Sequence, residues 1–281
     1  MRARALLALL LVAAVRAAGA ADPEPASVPA PPEAPAAAEP AADACAAAPA
    51  PDAGEIARRA EAALRGDGSE VDATLSIARD GRSPRTLPFR VWDDALGDRV
   101  LVRVLPPASA AGAVWLKIPP VLWSFDPKAD ATQRIPRAHW ADPWMEGEFS
   151  LDDVVRGSGP RDYEQKLVRV DAPVDGGPRA WVIESTPRDP AAVAWARLVD
   201  WIECEHATLQ RREFHDAKGA LVRTLSLEDL RDVAGRRYPH LWVMRAAADP
   251  ARESRIRVDA VRFDPEFAAG TFSTQSLHRG D

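Results

Sequence analysis

Little in this chain of 281 residues is equipped for chemistry. Its five histidines, His139, His206, His215, His240 and His278, contain no H-E-x-x-H pair and share no zinc-type spacing with cysteine, so no metal is assigned. Gly157-Ser158-Gly159 lacks the outer glycines of a nucleophile elbow, and no phosphate loop stands beside the apolar segments. Only two cysteines occur, Cys45 and Cys204; one bridge between them is open to an exported protein, but Cys45 falls in an Ala/Pro-rich tail, which argues against a structural disulfide. No apolar run reaches the ~20 residues of a membrane helix. Basic stretches are missing too. The formal charge is −6, and Arg252, Arg255 and Arg257 merely alternate along one expected strand, which disfavours nucleic acid. The acidic Ser150-Leu151-Asp152-Asp153 segment invites a metal or acid/base reading, yet Ser followed three residues later by Asp is a helix-capping pattern. A hydrolase working through Glu148, Asp152 or Asp153 would need paired carboxylates in a defined cleft, and no spacing indicates one. Catalytic residues: none; cofactors: none.

What the chain has is a layout of three parts. Arg2 and Arg4, an apolar run from Ala5 to Val15 and Ala18-Gly19-Ala20 have the order of a secretory signal peptide over 1–20. Residues 21–53 are almost wholly Ala and Pro with a few acids, a composition that buries too little to offset its ordering entropy and reads as a disordered spacer. Residues 54–281 form the folded domain. It opens on EIARRAEAALR (55–65), whose Ile56, Ala60, Ala63 and Leu64 share a helical face, ended by Gly66.

Strands follow. Val71, Ala73, Leu75 and Ile77 alternate along VDATLSIAR, and Asp80-Gly81, Asp175-Gly176-Gly177, Lys218-Gly219 and Ala234-Gly235 punctuate further alternating runs. About eleven strands joined by short turns predict one long antiparallel meander, with a second helical piece near 150–156. Such a sheet curls because it is twisted. Two short helices are too few to fill it, which predicts a cavity or groove lined by apolar side chains.

Seven pieces in order then resemble the outer-membrane lipoprotein-sorting proteins, LolA/LolB-like carriers. They are the opening GEIARRAEAALRG, VLVRVLPPASAAGAVWLKI (100–118), VLWSFDPKADATQRIP (121–136), MEGEFSLDDV (145–154), DAKGALVRTLSLEDL (216–230), AGRRYPHLWVM (234–244) and VRFDPEFAAGTFSTQSL (261–277). The sequence departs from the family pattern at Glu146, where Gly is usual, at Glu148, where Asp is usual, and at Phe125, where Tyr is usual; HWADPW (139–144) is an insertion.

The resemblance implies a mainly β (α+β) fold, an incomplete, strongly curved antiparallel β-barrel plugged by short helices. It implies a periplasmic, non-enzymatic carrier for the acyl chains of lipoproteins or other lipids, expected to be a monomer. The alternative is a sensor or accessory subunit docking to an inner-membrane exporter. The candidate cavity residues are Leu101, Arg103, Leu116, Trp123, Phe125, Met145, Phe149, Trp181 and Trp201. In VLVRVL, Leu101, Arg103 and Leu105 share one face and Val100, Val102 and Val104 the other; Val121, Trp123 and Phe125 likewise point together. Arg103 has the fork of donors to meet a ligand carbonyl or phosphate, although a solvent-facing or acid-paired arginine is the favoured reading. A sixteen-carbon chain carried bare through water costs on the order of 12 kcal/mol, at ~0.8 kcal/mol per methylene, and an adaptable side chain such as Met145 suits cargo of variable shape.

Overall fold

The computed structural model describes Cys45 and residues 51–79, 82–171, 178–190 and 193–279. The chain divides into two units, Met1–Pro40 and Ala41–Asp281, and all described residues belong to the second. The signal-peptide reading, most of the Ala/Pro spacer and the turns at Asp80-Gly81 and Asp175-Gly176-Gly177 lie outside the described residues.

The first element is helix α1 (Ala53–Arg65). Asp52 caps it by accepting from the Glu55 amide at 2.9 Å, and Gly66, at φ +61°, ends it in a conformation that other residues resist. Ile56, Ala57, Ala60 and Leu64 are buried; Ala63 is only half-buried, one position off the stripe expected from the sequence. Six strands follow: β1 (Gly68–Arg79), β2 (Arg82–Asp94), β3 (Arg99–Val104), β4 (Val114–Ile118), β5 (Val121–Asp126) and β6 (Ala131–Arg134). A segment with short 3₁₀ turns and the one-turn helix α2 (Leu151–Val154) separates them from seven more. These are β7 (Tyr163–Asp171), β8 (Ala180–Pro187), β9 (Arg197–Glu203), β10 (Leu209–His215), β11 (Leu221–Val233), β12 (Arg236–Ala246) and β13 (Glu253–Phe263).

All thirteen belong to one antiparallel sheet in the order β6-β5-β4-β3-β2-β1-β13-β12-β11-β10-β9-β8-β7. The meander thus has two more strands than the eleven expected, and the pairing of β1 with β13 joins its halves. The β11–β12 turn follows the sequence signal: Ala234 and Gly235 take φ of +50° and +77°, the pair of positive angles that a tight twisted hairpin needs. β6 and β7 remain edges and do not pair with each other, so the sheet does not close into a barrel. Residues from β2 and β9, far apart in strand order, nevertheless line the same interior, because the accumulated twist curls the sheet around its core.

Alternation sorts side chains between two faces. Val100, Val102 and Val104 of β3 join the main core inside the curl with Val71, Ala73, Leu75 and Ile77 of β1. Their neighbours Leu101 and Leu116 point outward, where Leu277 and Phe272 of the C-terminal segment cover them. Cys45 is bonded to Cys204, next to the end of β9. This corrects the expectation drawn from its Ala/Pro surroundings: Cys45 is buried and belongs to the main core, so local composition does not decide its fate.

Candidate functional site

Between α1 and the inner face of the sheet lies a cavity of about 180 Å³. Ala57, Ala60 and Leu64 of α1 form its roof, small residues that let the helix ride close to the space beneath. Val71, Ala73, Phe89, Leu225 and Val258 form an apolar wall, each at a position where strand alternation turns it inward. Polar groups gather where the 152–165 segment meets β8, β9 and β10: Asp152, Asp153, Tyr163, Gln165, Ser185, Asp200 and Arg212. The lining is therefore mixed: mainly apolar along β1–β2 and β11–β13, while β8–β10 add Leu198, Ile202, Leu209 and Phe214 beside these polar groups.

The charged groups there are paired. Arg212 donates Nε and Nη2 to the two oxygens of Asp200 at 2.6 and 2.7 Å. Arg223 donates to Asp153 at 2.8 Å and to the Glu148 carbonyl at 2.9 Å while lying over the rings of Phe214 and Trp195. Outside the cavity lining, Asp93 of β2 serves two arginines, Arg65 through paired bonds of 2.9 and 2.6 Å and Arg156 at 2.9 Å. Lys117 donates to Asp98 at 2.8 Å and to the Arg156 carbonyl at 2.6 Å; burial pushes its ammonium below the usual lysine range. Burial pushes the Asp152 carboxyl up, opposed by the Ser158 hydroxyl and reinforced by Asp153. Tyr238 is pushed up to about 12 by burial, and Tyr163 higher still, so both stay neutral phenols.

A loop over 143–150 closes one side. Ser150 caps α2 through the reciprocal bonds anticipated from Ser150-x-x-Asp153, with Asp153 Oδ2 accepting from the Ser150 amide at 2.7 Å. The SLDD segment thus works as a capping box. Met145 and Glu146 both take positive φ, +52° and +65°, so Glu146 keeps a conformation suited to the Gly usual there. Arginines hold this loop: Arg79 binds Glu148 at 2.7 Å and the Glu146 carbonyl, and Arg85 binds Glu146 at 3.0 Å and the Met145 carbonyl. Glu148 also meets Arg252 at 3.0 Å. From the inserted HWADPW, Trp140 and Trp144 are buried, and Trp144 packs edge-on to Phe89 and Trp115. Gly157 permits that packing, because a Cβ there would stand 2.6 Å from the Trp140 ring and against the Asp152 carboxylate.

Of the nine candidates read from the sequence, Phe149 lines this cavity. Met145 lines a more open recess on the other side of the loop, with Trp115, Ile135 and Trp144. Trp181 is buried in the main core but is not among the lining residues. Leu101, Leu116, Trp123 and Phe125 share the outward face beneath the C-terminal segment, where Phe125 also packs edge-on to His278. Arg103 lies there too, donating to the Ser276 carbonyl at 2.7 Å and to the Arg279 carbonyl. Trp201 sits on the outer face with Ala180, Val182 and Val199 under the Arg211 guanidinium. Residues the sequence reading passed over, Tyr163, Asp200, Arg212 and Trp242, line the cavity instead. One signal was available: Leu198-x-Asp200-x-Ile202 places a carboxylate on an apolar strand face, and an inward charge on a sheet seldom stands without a purpose.

Helices in the described residues include none long and apolar enough to cross a membrane. No curated protein matches the chain. Among solved structures, a LolA superfamily protein from Nitrosomonas europaea is similar at 20% identity, covering 81% of this chain and 100% of its own, with a TM-score of 0.70. A domain described as an outer membrane lipoprotein-sorting protein from Vibrio parahaemolyticus also has 20% identity and a TM-score of 0.70, covering 81% of this chain and 98% of its own. A DUF1329 family protein from Desulfovibrio piger has 19% identity and a TM-score of 0.72, covering 80% and 97%. The family model that matches spans residues 97–279 and is described as "Uncharacterized protein". The chain belongs to that family, and its fold, an unclosed antiparallel sheet curled around a short helix, is the one shared with the LolA-like lipoprotein-sorting structures.

Proposed function

We propose that this protein is a periplasmic, non-enzymatic carrier that shields the acyl chain of a lipoprotein or another lipid in the cavity beneath α1. The observation that carries this reading is the cavity wall: five inward strands and the alanine face of α1 supply a continuous apolar lining in a sheet that stays open at one side. Each methylene moved from water into such a lining contributes ~0.8 kcal/mol, enough to hold a chain while leaving release possible. The buried Cys45–Cys204 disulfide supports an oxidising compartment, as does the signal-like N-terminus. The lipoprotein-sorting fold supports the cargo class.

The test is binding. An environment-sensitive acyl probe should be taken up by the purified protein and displaced by long-chain lipids, and organic extraction of protein taken from a native-like periplasm should release lipid. Ala60→Trp, which pushes a large ring from the helix into the cavity, should weaken the probe at least about tenfold at ~1–3 kcal/mol of lost stability. A wild-type protein that takes up no probe and yields no lipid would end the proposal.

A further inference from the structure

Three polar groups on the cavity wall have no hydrogen-bond partner among the described residues: the hydroxyls of Tyr163 and Ser69 and the indole N–H of Trp195. Tyr163 and Ser69 are 2% and 0% exposed. A buried donor left unsatisfied costs ~1–3 kcal/mol, so such groups are rare unless something else satisfies them. Tyr163 opens β7 among the polar groups of the cavity, where the Arg212 guanidinium is its strongest charged neighbour. Arg212 commits Nε and Nη2 to Asp200 and leaves Nη1 without a partner among the described residues. Both residues line the same cavity, one carrying a neutral hydroxyl and the other a guanidinium N–H.

The charges around them decide what these donors can take. Asp200 neutralises Arg212, Asp153 neutralises Arg223, and Asp152 adds a further carboxyl, so this part of the lining holds no surplus of positive charge. A carboxylate or phosphate brought here would surrender its hydration without an unpaired cation to meet it, a cost of several kcal/mol. A carbonyl oxygen accepts both donors at no such cost.

We propose that Tyr163 and Arg212 form a recognition point for the neutral carbonyl of an acyl ester or amide, whose aliphatic chain then runs along Val71, Phe89, Leu225 and Val258. This deepens the carrier reading and rests on it. An ester would come from a glyceride-type lipid or an O-acylated lipoprotein, an amide from an N-acylated chain, and both present the same oxygen.

The deciding experiment displaces an acyl probe from the full chain with four ligands of matched length: methyl palmitate, N-methylpalmitamide, palmitate and heptadecane. Wild type and Tyr163→Phe are compared. In the wild type the ester or the amide should bind about three- to tenfold tighter than the alkane, and tighter than palmitate at about pH 8. Whichever of the two is tighter identifies the source. Tyr163→Phe should bring the ester and the amide at least about threefold closer to the alkane and keep or raise thermal stability, because the hydroxyl it removes has no partner among the described residues. Ester affinity unmoved by Tyr163→Phe, or palmitate binding tightest, overturns the recognition point while the carrier stands. Failure of all four ligands with the wild type defeats the carrier reading, and the recognition point with it.

Discussion

Asp152 shows how a single residue reports its surroundings. It lines the cavity, is 7% exposed, and has its carboxyl pushed above the usual 3.8 chiefly by burial. A carboxyl that binds its proton more tightly in the native state than in the unfolded chain costs stability while ionised. That cost is complete above the raised pKa and disappears as the pH falls through it. Asp152→Asn should therefore be more stable than the wild type at about pH 7.5, and the gap should close towards about pH 4. Urea unfolding at the two pH values reads this directly; a gap that widens towards acid contradicts it. Glu146 reports on backbone in the same way, since it holds φ +65° with a side chain that is mostly in solvent and pairs, among the described residues, only with Arg85.

The C-terminal segment illustrates an element whose role depends on its neighbours. Among its described residues it has no strand after β13, only a short 3₁₀ turn over Thr274–Leu277, yet it covers the outward side of β3–β5. Leu277 is 1% exposed against Leu101, Val114 and Leu116, and Arg103 ties the Ser276 carbonyl from below. Leu277→Ala should cost ~2–3 kcal/mol, because deleting a buried leucine leaves a void that a sheet cannot collapse to fill. The segment after Asp264 should then become the first site of limited proteolysis while the acyl-probe affinity stays within about twofold, since the cavity lies on the other face. Equal proteolysis of variant and wild type would mean that Leu277 does not fasten the segment.

At the scale of the whole molecule, an unclosed sheet has to keep its curl without the last set of hydrogen bonds that a barrel would have. Three ties do this. The 143–150 loop is clasped by Arg79 and Arg85 from β1 and β2, α1 is fastened to β2 through Arg65 and Asp93, and Cys45 is joined to Cys204 across 159 residues of sequence. Cross-linking so long a loop removes much freedom from the unfolded chain, and typical disulfides contribute ~2–4 kcal/mol. Reduction, or Cys45→Ser with Cys204→Ser, should lower the melting temperature by about 5–10 °C, read by calorimetry with and without reductant. An unchanged melting point would show that the bridge adds no constraint to the fold.

Much of this architecture was legible beforehand because strand alternation and turn chemistry are local. The face partners in VLVRVL and VLWSFD, the Ala234-Gly235 turn, the capping box at Ser150 and the helix at α1 all follow from neighbours within a few residues. Alternation states which side chains travel together; it does not state which side becomes the inside. Leu101, Trp123 and Phe125 do point together, but the segment at 264–279 returns to cover them, and Val100, Val102 and Val104, which alternate with Leu101 and Arg103, take the interior. Asp200 and Arg212 meet as cross-strand partners on β9 and β10, but local rules do not bring them and Tyr163 into one cavity with β1 and β2, since that depends on how far thirteen twisted strands curl. The amino-acid order by itself determined most of the strands, the antiparallel meander and the two sets of side chains on each strand, but not the pairing of β1 with β13. Only the tertiary structure decided which set encloses the cavity, because inside and outside are properties of the closed surface and not of any strand within it.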